Sequence, residues 1–181
     1  LVVQPALVVA VAPKATCVWQ PSPDPLVVSS YGLHDPARPE TSDLPFARAL
    51  FEGIEAPSTG RFVLESGEFG MQTDSGWQKF GLGSSAASTL ALYGAVRAAR
   101  GESVNAETAY VAAQQAHRSV QGGGSGADIA ASAFGGALLY RWNEVLPKVL
   151  LKAGESGRAR FDAVIKELLG FFADEPDRAR L

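Results

Sequence analysis

A single cysteine, Cys17, is the whole thiol content of the 181 residues. No internal disulfide can form and no zinc cluster can be built from thiolates. That scarcity suits a reducing compartment, and a cytoplasmic location is expected. Histidine is almost as rare, with two residues, and His34 has no second His, Cys or carboxylate at a metal-ligand spacing, so it reads as a loop residue. Excess charge is lacking too. The formal net charge is −3, with no basic stripe of the kind that neutralises a nucleic-acid backbone, so no nucleic-acid partner is expected. Long apolar runs are missing: Pro5 to Ala12 is too short to cross a bilayer, and no basic region precedes it as in a signal peptide. No membrane partner is expected. Leu1 stands where Met would, and the chain reads as a piece of a longer protein that starts within a fold.

What is present is apolar enough, at 46% with 19% charged, for one substantial core. The densest chemistry lies in Lys79 to Thr89, KFGLGSSAAST. Gly81 and Gly83 let the backbone take positive φ and approach a ligand, and Ser84 or Ser85 can cap the Ala-rich helix that follows, through Leu90, Leu92, Tyr93 and Val96 to Arg100. The first N–H groups of such a helix lack intrahelical partners and carry the positive end of its dipole, a cradle for phosphate oxygens. Two readings stay open on these residues alone, an ordinary capped turn and a phosphate-binding loop. No Gly-Lys-Ser/Thr follows, so the Walker pattern is excluded. G-x-G-x-x-A fits loosely, with Glu102 near the ribose-binding distance, but a dinucleotide fingerprint must follow a buried strand, and Glu65 to Gln78 is polar and Gly-rich.

A second glycine stretch, Gln121 to Asp128, reads QGGGSGAD. It is more flexible than a helix-to-helix turn requires, and it presents Asp128 where a new helix begins. Asp128 either favours that helix dipole or acts chemically. Beside a phosphate loop the second reading gains, because phosphoryl transfer needs a cradle for the donor and a carboxylate near the attacking oxygen.

Around these motifs the pattern predicts two strands joined in a tight antiparallel turn, Ala6 to Val11 and Ala15 to Trp19, and a short strand at Leu26 to Ser30. A helix is predicted through Phe46, Ala47, Leu50, Phe51 and Ile54, then a hairpin pairing Arg61 to Ser66 with Glu68 to Thr73 across Gly67. Gly101 should close the loop helix. Asn105 should cap a second helix through Ala109, Tyr110, Ala113, Ala116, His117 and Val120. Ile129 to Phe134 reads as a short helix and Ala137 to Trp142 as a buried strand. Phe161, Val164, Ile165, Leu168, Leu169 and Phe172 form an amphipathic stripe.

KFGLGSSAA resembles the central motif of the GHMP kinases, the superfamily of galactokinase, homoserine kinase, mevalonate kinase and phosphomevalonate kinase. Ala116 to Tyr140, AHRSVQGGGSGADIAASAFGGALLY, is similar to the second region of the phosphomevalonate kinase branch, and PALVVAV resembles the strand after the family's opening motif. The resemblance implies an α+β fold, the GHMP kinase N-terminal domain, ribosomal protein S5 domain 2-like, over residues 1–145. Residues 146–181 would be the start or remnant of the C-terminal domain. It implies transfer of the ATP γ-phosphoryl group to 5-phosphomevalonate in isoprenoid precursor synthesis, with ATP and Mg²⁺ as cofactors and a small-molecule substrate as partner. The alternatives are another small-molecule GHMP kinase, such as mevalonate kinase, or a truncated, non-catalytic module. Carried over, Gly81, Leu82, Gly83, Ser84, Ser85 and Ala86 would hold the ATP phosphates, Ser85 would reach the metal, and Asp128 would be the catalytic acid residue. Lys79, Arg118, Gly124, Ser125 and Gly126 would bind the acceptor. His117 stands where mevalonate kinases place a magnesium-binding Glu. The family's opening Gly-Glu-Tyr motif and closing Gly-rich motif have no counterpart, and self-association through the last helix is expected.

Overall fold

The computed structural model describes residues 6–29, 37–55, 57–141, 148–151 and 166. The β-branched and aromatic runs form strands β1 (Ala6–Val9), β2 (Thr16–Gln20), β3 (Leu26–Ser29), β4 (Arg61–Glu65), β5 (Gly70–Thr73), β6 (Gly76–Lys79), β7 (Ala137–Tyr140) and β8 (Lys148–Leu151). Helices are α1 (Pro45–Gly53), α2 (Ser84–Ala99), α3 (Ala106–Gln121) and α4 (Ala127–Phe134). The mixed α+β class is as expected. His34, the stretch 142–147 that holds the expected domain boundary, and the C-terminal amphipathic stripe apart from Lys166 lie outside the described residues.

Pairing, unlike strand position, departs from the local reading. β1 and β2 do not form a hairpin: β1 pairs antiparallel with β7, and β2 pairs antiparallel with β4. β3 lies parallel to the other side of β4, so β4 is the centre of one sheet and β7, flanked by β1 and β8, of another. The residues after Gly67 do not fold back on β4 either. A short 3₁₀ turn at Gly67–Phe69 redirects the chain, and β5 pairs with β6 instead. For β1 and β2 a partner distant in sequence replaces the adjacent strand, whereas β5 turns onto the strand that follows it. Phe62 and Leu64 of β4 are sealed under helices, and all four residues of β7 are buried.

Helix α2 is the hub. It packs on β2 and β4 and on all three other helices. Its Leu92 and Val96, both 0% exposed, join Phe62, Leu50 and Phe51 in the larger apolar cluster. Ala86, in its first turn, joins a second cluster with Tyr110, Ile129, Leu138 and Tyr140. Its C-terminus closes as expected: Gly101 N–H reaches Ala98 O and Glu102 N–H reaches Arg97 O, both at 2.9 Å, with Gly101 left-handed at φ +70°. The Asn105 side chain caps α3, accepting from the amides of Glu107 at 2.8 Å and Thr108 at 3.2 Å.

Candidate functional site

Local chemistry sets the glycine loop before α2. Gly83, at φ +73° and ψ +35°, is the N-cap of α2, and no side chain caps the helix. Ser84 and Ser85 are thus the first two helical residues and not the caps that the sequence led one to expect; the left-handed Gly83 starts the helix one residue early. The first intrahelical bond runs from Ala87 N–H to Gly83 O at 3.1 Å. The amides of Ser84, Ser85 and Ala86 precede it and are left to an outside acceptor. Helix α4 starts in the same way, with left-handed Gly126 as N-cap and Asp128 in its first turn.

The two glycine stretches, distant in the chain, meet in space. A β-carbon added at Gly83 would stand 2.9 Å from Asp128 Cβ and 3.5 Å from Asp128 Oδ2. Close packing of α2 on α4 therefore brings together the uncapped N-terminus of α2, the start of α4, whose Ala127 and Ile129 amides bond to Ser125 Oγ and Asp128 Oδ1, and the exposed Asp128 carboxylate. Two positive dipole ends favour an anion there, and Asp128 lies beside them.

Cavities open on both sides of the loop. One, of about 800 Å³, is lined by Ser84, Ser85 and Ser88 of α2, Lys79 and Trp77 of β6, and Phe46 of α1. The other, of about 370 Å³, is lined by Asp128, Arg118, His117, Gln114 and the backbone of Gly124, Ser125 and Gly126. Of the expected acceptor residues, Arg118, Gly124, Ser125 and Gly126 therefore share a wall with Asp128, while Lys79 faces the cavity of the serines. Gly81 and Leu82 complete the exposed turn between β6 and α2, and Ala86 is buried beneath it.

His117 supports this floor. It is 5% exposed, stacked on Phe46 with centroids 4.1 Å apart, and its Nε2 is 3.4 Å from Thr89 Oγ1. Thr89 donates its own proton to Ser85 O at 2.8 Å, so the ring nitrogen is the donor in the His117–Thr89 contact. Burial lowers the His117 pKa below its ordinary value, against upward pulls from Asp128 and from a bond to the Ser85 backbone. The side chain thus braces the first turn of α2. Among the described residues no group of three or more His, Cys, Asp or Glu could hold a metal ion. Cys17 has no part in the site, its thiol pushed up to about 12 by burial.

Sequence reasoning missed Phe46, Thr89 and the tyrosines Tyr110 and Tyr140, because their roles arise from contacts between distant elements. The dinucleotide reading is overturned. A strand, β6, does precede the loop, but it belongs to an exposed antiparallel hairpin. Glu102 lies at the far end of the 16-residue α2, ion-paired with Arg97 at 2.8 Å, about 24 Å from the glycines by helix rise.

With that geometry in hand, comparison with known families is informative. The family model described as GHMP kinases N terminal domain matches residues 61–136, which span both glycine stretches. That stretch, under half of the chain, is similar to a GHMP kinase N-terminal domain. Among solved structures, a Lin0012 protein from Listeria innocua is similar, with a TM-score of 0.57 and 20% identity over 90% of this chain. At that identity the likeness concerns the fold alone, and this chain spans 57% of the length of that protein. No curated protein matches. No helix among the described residues is long and apolar enough to cross a membrane.

Proposed function

We propose that this chain is the nucleotide-binding part of a small-molecule kinase that transfers the ATP γ-phosphoryl group to 5-phosphomevalonate. The observation that carries the reading is the contact between Gly83 and Asp128, which joins an anion cradle to a carboxylate. The cavity of Ser84, Ser85 and Ser88 is of ligand size. It offers the aromatic walls of Phe46 and Trp77 to a base, and hydroxyls and free helix-end amides to the phosphates. Arg118 and the glycine-loop backbone in the second cavity suit a phosphorylated acceptor, since a guanidinium pairs well with phosphate.

In the proposed reaction an oxygen of the acceptor phosphate bonds to the γ-phosphorus as the bond to the β–γ bridging oxygen breaks, and ADP leaves. The acceptor oxygen is already ionised at neutral pH, so no proton need be removed, and Asp128 orients the acceptor. The amides of Ser84, Ser85 and Ala86 bind the charge that builds on the transferred group. The donor set fits magnesium, which keeps waters and takes only one or two protein oxygens beside substrate phosphates. Ser85 Oγ would be one such donor, and the metal would neutralise phosphate charge. His117, in place of a carboxylate, supplies no such oxygen.

Calorimetric titration of this chain with Mg-ATP, with NAD as control, tests the cradle. Saturable ATP binding without NAD binding is expected. A well-folded sample that binds neither would end the reading. ADP release with 5-phosphomevalonate against mevalonate then tests the acceptor, and preference for mevalonate would transfer the assignment to that alcohol.

A further inference from the structure

Behind the second glycine stretch lies a set of buried polar groups that the proposed reaction does not use. Tyr110 is 0% and Tyr140 3% exposed, and both sit in a cluster otherwise made of Ala86, Ala113, Ile129, Ala130 and Leu138. Phenylalanine would fill the same space at either position. A buried hydroxyl is costly unless it is bonded, so the bonds it makes are the reason to look for a role. Tyr140 donates to the backbone carbonyl of Ser125. The Tyr110 hydroxyl lies near enough to push the Tyr140 pKa upward. Gln114 Nε2 in turn donates to the Tyr110 hydroxyl at 2.8 Å. Gln114, Tyr110 and Tyr140 thus form one polar cluster behind the loop, anchored to the backbone at Ser125.

We infer that Tyr140, backed by Tyr110 and Gln114, is a positioning residue that pins the glycine-rich loop at Ser125 and so holds Asp128 against the phosphate loop. The backbone lies directly on these side chains. A β-carbon at Gly126 would come within 3.0 Å of Gln114 Nε2 and 3.1 Å of the Tyr140 hydroxyl. Ser125 Oγ accepts from the Ala127 amide at 3.3 Å, Gly126 is the N-cap of α4, and Asp128 follows two residues later. Fixing one carbonyl therefore fixes the entry of α4. Four glycines between Gln121 and Ala127 would otherwise leave that entry with wide conformational freedom. Burial first, and the Tyr110 hydroxyl second, push the Tyr140 pKa upward, so the donor stays protonated at any working pH. The consequence for turnover rests on the phosphoryl-transfer reading; the pinning of the loop does not.

Native-state hydrogen exchange on Tyr140→Phe and Tyr110→Phe tests it, with Tyr93→Phe as control. Tyr93 is a buried tyrosine of the other cluster whose hydroxyl bonds to Thr108. The amides to follow are those of Ala127, Ile129 and Ala130, bonded to Ser125 Oγ, Asp128 Oδ1 and Gly126 O. Exchange there is expected to rise about tenfold in both test variants and not in the control, with interior amides of α2 unchanged. In steady-state assays kcat should fall about tenfold while the KM for ATP holds, the mark of a displaced Asp128 and not of a damaged cradle. Exchange at α4 equal to the unsubstituted protein, or raised equally throughout α2 and α3, would overturn the inference. Loosened α4 amides in a chain that binds no Mg-ATP would uphold the pinning and defeat the kinase reading instead.

Discussion

Gly83 carries two demands that only glycine meets. Its backbone is left-handed at φ +73°, and an added β-carbon would stand 2.9 Å from Asp128 Cβ. A left-handed non-glycine residue costs about 1–2 kcal/mol by itself, and the contact with α4 adds to it. Gly83→Ala is therefore expected to lower stability by about 2 kcal/mol in denaturant unfolding. It should also weaken Mg-ATP binding about tenfold by parting α2 from α4; unchanged affinity would separate the glycine from any phosphate site. His117 makes a second residue-scale prediction. Its pKa is lowered in the fold from 6.5, so between the lowered value and 6.5 the unfolded chain binds more protons than the native one, and stability rises with pH. The contribution is whole above pH 6.5 and is lost as pH falls through the native value. Melting temperatures from about pH 7.5 to about pH 5.5 should fall more steeply in the unsubstituted protein than in His117→Gln. His34 is common to both chains, and parallel slopes would exclude His117 as the source.

At the scale of elements, the helices were legible because their signals are local. Asn105 followed by an apolar period of three and four predicts α3, and the cap is there with two amide bonds. Asn105→Ala should cost about 1 kcal/mol, read as a shift of the unfolding midpoint. A loss below about 0.3 kcal/mol would mean that water caps the helix as well as the side chain does. The same local logic failed at α2, where Ser84 and Ser85 carry a capping signature but Gly83 starts the helix. It failed also for the strands. Alternation locates β1, β2 and β5, yet it says nothing of partners, which are chosen by which faces the helices cover. The pieces of the site were named from sequence as two glycine stretches and one acid. Their contact was not legible, since it depends on how α2 packs on α4, and Tyr140 gave no sign of its role because its partner, Ser125, is fifteen residues away across a helix.

For the whole molecule, the loop sits where two apolar clusters meet. One joins β4, α1 and the later turns of α2; the other joins the first turn of α2 to α3, α4 and β7. Leu90 packs against both, so it transmits order from the larger cluster to the turn that presents Ser84, Ser85 and Ala86. If the clusters fold as one unit, fluorescence from Trp19 on β2 and Trp77 on β6 should follow the same denaturant transition as far-UV circular dichroism. Leu90→Ala, at a half-buried position, should lower stability by about 2 kcal/mol. Weakening this join should also loosen the seam, so exchange at Ala130 of α4 is expected to rise more than exchange at Val96, deep in the larger cluster. Equal increases at both would show that Leu90 supports the core as a whole. A larger effect at Ala130 would show that the candidate site depends on a joint between two packed units, a place where the proposed phosphoryl-transfer site would have the freedom to close on a ligand.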